Sequence, residues 1–172
     1  FSLTKKIFKN NFLYFIANIS FTIYMFLYCY FFIYFSFIIQ FKIIIFILLF
    51  GCIASDFGGY IFGKIFKGPK LTKISPKKTI SGSIGSFIFT YFFILIPIFF
   101  VTNKINFEIL IISLITSLAC QIGDLFFSFL KRTAKVKNTS NFLPGHGGFL
   151  DRLDGILLGL PVGIITLFLL HI

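Results

Sequence analysis

The chain has 172 residues, 58% hydrophobic and only 12% charged, with a mean hydropathy of +1.00 and a net charge of +11. That balance excludes an ordinary soluble domain, whose core has no room for so much apolar surface. It also argues against a nucleic-acid binder, because the basic residues sit in short breaks between apolar runs and form no continuous solvated surface. Membrane lipids with anionic headgroups, and phosphates, are the expected partners.

The chain opens on Phe1 rather than Met, so an N-terminal piece is expected to be missing, and residues 1–11 lack the features of a cleavable signal. Apolar runs then follow at about 12–37, 41–63, 80–102, 107–130 and 153–171, each long enough to cross a bilayer as a helix. The expected fold is all-α: a polytopic integral membrane protein of about five transmembrane helices, forming a single membrane-embedded domain over 1–172. Only Gln40 and Lys42 separate the first two runs, which are read as two spans with a tight turn at 38–42. The 29 Phe residues read mostly as lipid-facing bulk. Cys29, Cys52 and Cys120 are far apart within apolar stretches and read as small buried hydrophobes, with neither a disulfide framework nor a zinc site.

Threading five spans alternately places residues 1–11, 64–79 and 131–152 on one side of the membrane. Fourteen of the 16 Lys and Arg residues fall there, leaving only Lys42 and Lys104 on the other. By the positive-inside rule the Lys-rich side is cytoplasmic. The predicted placement is a multi-pass protein of a bacterial inner (plasma) membrane, with its active site facing the cytoplasm.

Five carboxylates exist: Asp56, Glu108, Asp124, Asp151 and Asp154. All but Glu108 fall at the cytoplasmic ends of predicted spans. An ionised side chain at membrane depth costs several kcal/mol unless it is paired, hydrated or bound to a cation. On the fourth span Gln121, Asp124, Ser128 and Arg132 recur at helical spacing and form one polar row; Asp151 and Asp154 share a face at the start of the fifth. The plain reading is that these acids cap helices and pair with Lys131, Arg132 or Arg152. Their gathering from separate spans at one depth favours a site for Mg²⁺, which takes a few carboxylate oxygens and completes its shell with water and phosphate. Lysines beside such acids supply charge for phosphate oxygens. Those are the parts of phosphoryl or nucleotidyl transfer.

Two cytoplasmic segments are glycine-rich. Residues 55–86 carry Gly58, Gly59, Gly63, Gly82 and Gly85 with the hydroxyls of Ser75, Thr79 and Ser81, and contain no P-loop pattern. Residues 142–155 place Pro144, Gly145, Gly147 and Gly148 directly before a helix N-terminus, a natural anion cradle. His146 within it has no second His near enough for zinc.

With these motifs in view, the chain resembles the membrane phosphatidate cytidylyltransferases, also called CDP-diacylglycerol synthases. S-F-L-K-R at 128–132, Lys137 and P-G-H-G-G-F-L-D-R-L-D at 144–154 look like that family's C-terminal signature. D-F-G-G-Y-I-F-G-K at 56–64, S-P-K-K-T at 75–79, G-S-I-G at 82–85 and Q-I-G-D-L at 121–125 are similar to its other motifs, in the same order. Ser81, Phe127 and Asn138 stand where the family often has acids, so those positions are left out of the expected metal site.

The resemblance implies that CTP and phosphatidic acid give CDP-diacylglycerol and pyrophosphate with Mg²⁺ and a second cation such as K⁺, in a homodimer. It implies metal binding by Asp124, Asp151 and Asp154. Asp124, Asp151, Lys131 and Arg132 are the expected catalytic set. The expected substrate-binding set is Asp56, Tyr60, Ser75, Lys77, Lys78, Thr79, Ser128, His146, Gly147, Gly148 and Arg152. Alternatives are a transferase using CTP on another lipid phosphate, a membrane transporter, and an inactive partner subunit. A transporter predicts polar residues through the full membrane depth, and the sidedness of the acids favours an enzyme.

Overall fold

The computed structural model describes residues 11–72, 75, 78–136 and 150–170, with Asn11, Leu13, Tyr14, Asp151 and Arg152 described by backbone alone. Five helices make up most of them: α1 (Asn11–Ser36), α2 (Ile39–Phe66), α3 (Ile80–Thr102), α4 (Phe107–Thr133) and α5 (Leu150–Leu169). The first four are long and apolar enough to cross a membrane, and α5 contributes a shorter apolar stretch, Leu153–Leu169, at the lower end of what spans a bilayer. The chain is therefore an all-α, polytopic integral membrane protein. Among the described residues, β pairing is limited to an isolated bridge between Lys70 and Thr79.

Local chemistry explains where the helices stop. The Thr79 hydroxyl caps α3 by accepting from the Gly82 N–H at 3.1 Å. At its other end Asn103 takes a left-handed conformation (φ 52°) and its N–H donates to the Phe99 carbonyl at 2.8 Å. Helix α2 ends on Lys67, also left-handed (φ 42°), just before Gly68 and Pro69.

Several edges differ from the hydropathy reading. The α1–α2 break lies at Phe37–Ile38, because the N–H groups of those two residues donate to Tyr34 and Phe35 carbonyls (both 3.3 Å) and leave no need for a longer turn. Gln40 and Lys42 thus sit in the first turn of α2. That helix continues three residues beyond the apolar run, where Lys64 lies 5.7 Å from the centroid of the Tyr60 ring. Cys52 and Cys120 are buried as expected, but Cys29 is exposed, since α1 is covered by the bundle on one side only and meets lipid on the rest.

Lipid tails are as apolar as leucine, so helices in a bilayer associate through close packing of small residues rather than by escape from water. Glycines provide it in two seams. Between α2 and α3, a β-carbon at Gly82 would come within 2.6 Å of the Gly59 carbonyl oxygen, and one at Gly85 within 2.7 Å of that of Gly58. Between α4 and α5, a β-carbon at Gly123 would lie 2.8 Å from the Asp154 carbonyl oxygen, and one at Gly163 would lie 2.7 Å from Thr116 Oγ1. The space between the seams is filled by Leu48, Cys52, Ile94, Ile112, Cys120 and Leu160, all almost fully buried.

Gly85→Ala is expected to destabilise the protein by about 1–3 kcal/mol, because backbone cannot yield as a side chain would. Ile84→Ala, one residue away on an exposed face, is expected to stay within about 0.5 kcal/mol. Denaturant unfolding in micelles checks both.

Candidate active site

The α2–α3 and α4–α5 pairs enclose a cavity of about 600 Å³, within the roughly 300–1,000 Å³ usual for small-molecule sites. Its lining runs from Gln121 to Lys131 along α4, a rise of roughly 15 Å, about half of a ~30 Å hydrocarbon layer. It lies at the end of the bundle where α2 leads into residues 67–79 and α4 into 134–149.

Three helices each bring one carboxylate: Asp56 from α2, Asp124 from α4 and Asp154 from α5. Asp56, Asp124 and Asp154 lie close enough together to influence one another electrostatically. Two lysines answer them. Lys78 Nζ pairs with Asp124 Oδ2 at 2.6 Å, and Lys131 Nζ with Asp154 Oδ2 at 3.3 Å. Asp154 Oδ1 also accepts the Gly155 N–H at 3.1 Å. Gly155 keeps this approach close, since a β-carbon on it would stand 2.9 Å from Asp124 Oδ1 and 3.3 Å from the Cys120 carbonyl oxygen.

Lys78 reaches the cavity because its backbone is held. The Leu71 N–H donates to the Lys78 carbonyl at 2.8 Å, the Ile80 N–H to the Pro69 carbonyl at 3.0 Å, and the Lys78 N–H to the Ser75 carbonyl at 3.0 Å. The deeper wall is a hydroxyl and amide network. Ser83 Oγ donates to Gln121 Oε1 at 2.5 Å, Ser55 and Ser117 hydroxyls meet at 3.1 Å, and Ser86 Oγ donates to the Ser55 carbonyl at 2.7 Å.

Of the residues singled out by sequence, Asp56, Tyr60, Lys78, Thr79, Asp124, Ser128, Lys131 and Asp154 line this cavity. Tyr60 is exposed at its rim. Thr79 contributes its hydroxyl to helix capping, and Ser75 supports the turn before Lys78 without lining the cavity. Arg132 is exposed and outside the lining: on α4 it stands one residue beyond Lys131, about 100° around the helix. Lys77, His146, Gly147 and Gly148 lie outside the described residues, as do the side chains of Asp151 and Arg152. Sequence reading assigned no binding role to Ser55, Ser83, Ser86 or Gln121. The signal was the four-residue recurrence of small or polar types at 55 and 59, 79 and 83, and 82 and 86, and for Gln121 the polar row it heads on α4.

Among the described residues, no three His, Cys, Asp or Glu side chains converge tightly enough to hold an ion alone. Such a donor set fits a cation that takes one or two carboxylates and fills its remaining positions with water and phosphate.

The fold and the cavity together define a polytopic membrane bundle that gathers paired aspartates and lysines at one end of its helices. More narrowly, the chain belongs to the cytidylyltransferase family, whose model matches residues 1–170. It is similar to the phosphatidate cytidylyltransferase of Rickettsia typhi, 43% identical over 128 residues that cover 67% of this chain and 55% of that protein. The phosphatidate cytidylyltransferase of Mycobacterium tuberculosis is 33% identical over 155 residues, covering 90% of this chain and 47% of that one. That of Staphylococcus haemolyticus is 42% identical over 110 residues, covering 63% and 42%. The chain thus spans about half the length of the curated relatives it matches.

Lys78→Met leaves Asp124 without its counter-charge and is expected to lower stability by about 1–2 kcal/mol, less than for a fully buried pair because both groups retain some exposure. Lys78→Met/Asp124→Leu is expected to recover most of that loss in the same unfolding measurement.

Proposed function

We propose that the chain carries a site for CTP-dependent transfer to phosphatidic acid, giving CDP-diacylglycerol and pyrophosphate. The single observation that carries this reading is the convergence of Asp56, Asp124 and Asp154 with Lys78 and Lys131 in one cavity. The names of the relatives support it.

In the proposed reaction a phosphate oxygen of phosphatidic acid attacks the α-phosphorus of CTP, and the bond from that phosphorus to the α–β bridging oxygen breaks as pyrophosphate leaves. The nucleophile is already an anion, so no strong general base is needed. The work is alignment and charge screening. Lys78 and Lys131, held at the cavity by their aspartate partners, are placed to exchange those partners for phosphate oxygens. Tyr60 at the rim and the Ser83–Gln121 pair deeper down supply hydrogen-bonding groups for the nucleotide. The acyl chains stay in the bilayer while the headgroup enters from the rim.

Mg²⁺ belongs to this reading: Asp124 and Asp154 would hold it, Asp151 with them, and it would supply Lewis-acid stabilisation of the triphosphate charge. A second cation such as K⁺ and a homodimer are part of the proposal. So is placement in a bacterial inner membrane with the cavity facing the cytoplasm, for which the lysine distribution is the support.

Protein in liposomes with labelled CTP, phosphatidic acid and Mg²⁺ is expected to form liponucleotide, and Asp124→Asn to lower turnover roughly 10²-fold or more. Absence of product from the unmodified chain would refute the activity; full turnover by Asp124→Asn would refute the metal assignment. For sidedness, cysteines introduced at Lys70 and Asn103 in a background lacking the native thiols are expected to label from opposite faces in oriented vesicles, Lys70→Cys from the cytoplasmic one.

A further inference from the structure

Helix α1 is the least embedded of the five, with Phe12, Phe26 and Tyr30 among its many exposed residues. Its inner face presents Tyr24 and Tyr28, one turn apart with ring centroids separated by 6.4 Å. Tyr28 packs against the buried cluster that contains Cys52 and Cys120. The Tyr24 hydroxyl donates a hydrogen bond to the backbone carbonyl of Leu157 in α5.

That carbonyl is a special acceptor. In an uninterrupted helix it would receive the N–H of residue 161, four positions on. Residue 161 is Pro161, inside α5, and proline has no N–H to give. A carbonyl released in this way at membrane depth has no water to turn to and must be satisfied by a neighbouring element. The neighbour here is Tyr24, from a helix more than a hundred residues away in sequence.

Leu157 follows Asp154 by three residues on α5, within the same turn, and Asp154 lines the cavity. We propose that Tyr24 is a positioning residue: its hydroxyl supplies the hydrogen bond that Pro161 withholds from Leu157, seating α1 on α5 and holding in place the turn of α5 that carries Asp154. Tyrosine and proline then act as one device. Without the proline the Leu157 carbonyl is satisfied within its own helix, and the hydroxyl is redundant. Without the hydroxyl the carbonyl is left unpaired in hydrocarbon.

The reciprocity makes the inference testable by a double-mutant cycle in detergent micelles. In a Cys29→Ser background, maleimide reports only on Cys52 and Cys120, which lie beneath Tyr28 and react when the helices part. Tyr24→Phe is expected to speed their labelling roughly three- to ten-fold. Tyr24→Phe/Pro161→Ala is expected to label within about two-fold of Pro161→Ala alone. Equal acceleration by Tyr24→Phe in both backgrounds would mean that the hydroxyl merely packs, and would overturn the proposal. Should Tyr24→Phe fail to fold, the double variant is expected to fold, and its failure would equally overturn it.

The catalytic arm rests on the liponucleotide reading. Tyr24→Phe is expected to lower kcat several-fold while leaving KM for CTP within about two-fold, and Pro161→Ala is expected to suppress that loss. An unchanged kcat in Tyr24→Phe would remove the link to Asp154. Labelling that follows the cycle in protein that makes no liponucleotide in any form would leave the seat standing and remove the activity.

Discussion

A charge placed inside a membrane-crossing helix survives there only beside a counter-charge or water, and in this protein that requirement organises one end of the bundle. Lys78 stands with Asp124 and Lys131 with Asp154, and each pair joins segments distant in the chain: the α2–α3 connection with α4, and α4 with α5. Removing one partner leaves an ion that hydrocarbon cannot solvate. The same pairs serve the proposed site, because they keep lysines and carboxylates side by side in one cavity, where under that reading phosphate would replace a carboxylate at a lysine and a cation would replace a lysine at a carboxylate.

Bringing these groups so close demands backbones that nearly touch. Gly123 and Gly155 let α4 and α5 approach until the Asp124 carboxylate lies over the turn that carries Asp154, and Gly58, Gly59, Gly82 and Gly85 do the same for α2 and α3. Larger residues at these positions would push the helices apart and widen the cavity. The seams therefore determine the site's dimensions as much as its polar side chains do. They also explain how the bundle holds together although so much of its large hydrophobic surface, Phe26, Phe37 and Phe100 for example, points outward into lipid.

The helices were legible because apolar runs of membrane length have few other readings. The edges were less so. Hydropathy stops at the first lysine, whereas α2 continues past Lys64, whose charge rests over the Tyr60 ring, and the α1–α2 turn needs neither glycine nor proline to form. The cavity's acids were visible as rare charges at shared depth. Asp56 was assigned to substrate binding rather than to the metal set, yet it lines the same cavity as Asp124 and Asp154; sequence spacing reports which residues share a helix face but not how three faces turn toward each other. Arg132 shares a four-residue row with Asp124 and Ser128, and a helix turning about 100° per residue overshoots such a row by roughly 40° at each step, which carries Arg132 out of the lining. The Tyr24–Leu157 bond was not legible at all, because its acceptor is a main-chain atom whose availability depends on a proline in another helix.

The short connection between α2 and α3 is folded back on itself, with Leu71 bonded to Lys78 and Pro69 to Ile80. A loose tether of that length would sweep its lysine through many orientations, and an arriving polyanion would bear the entropy of ordering it. Here the ordering is completed when the chain folds. Under the proposed reading the encounter is spared that cost at Lys78, whose backbone is already held.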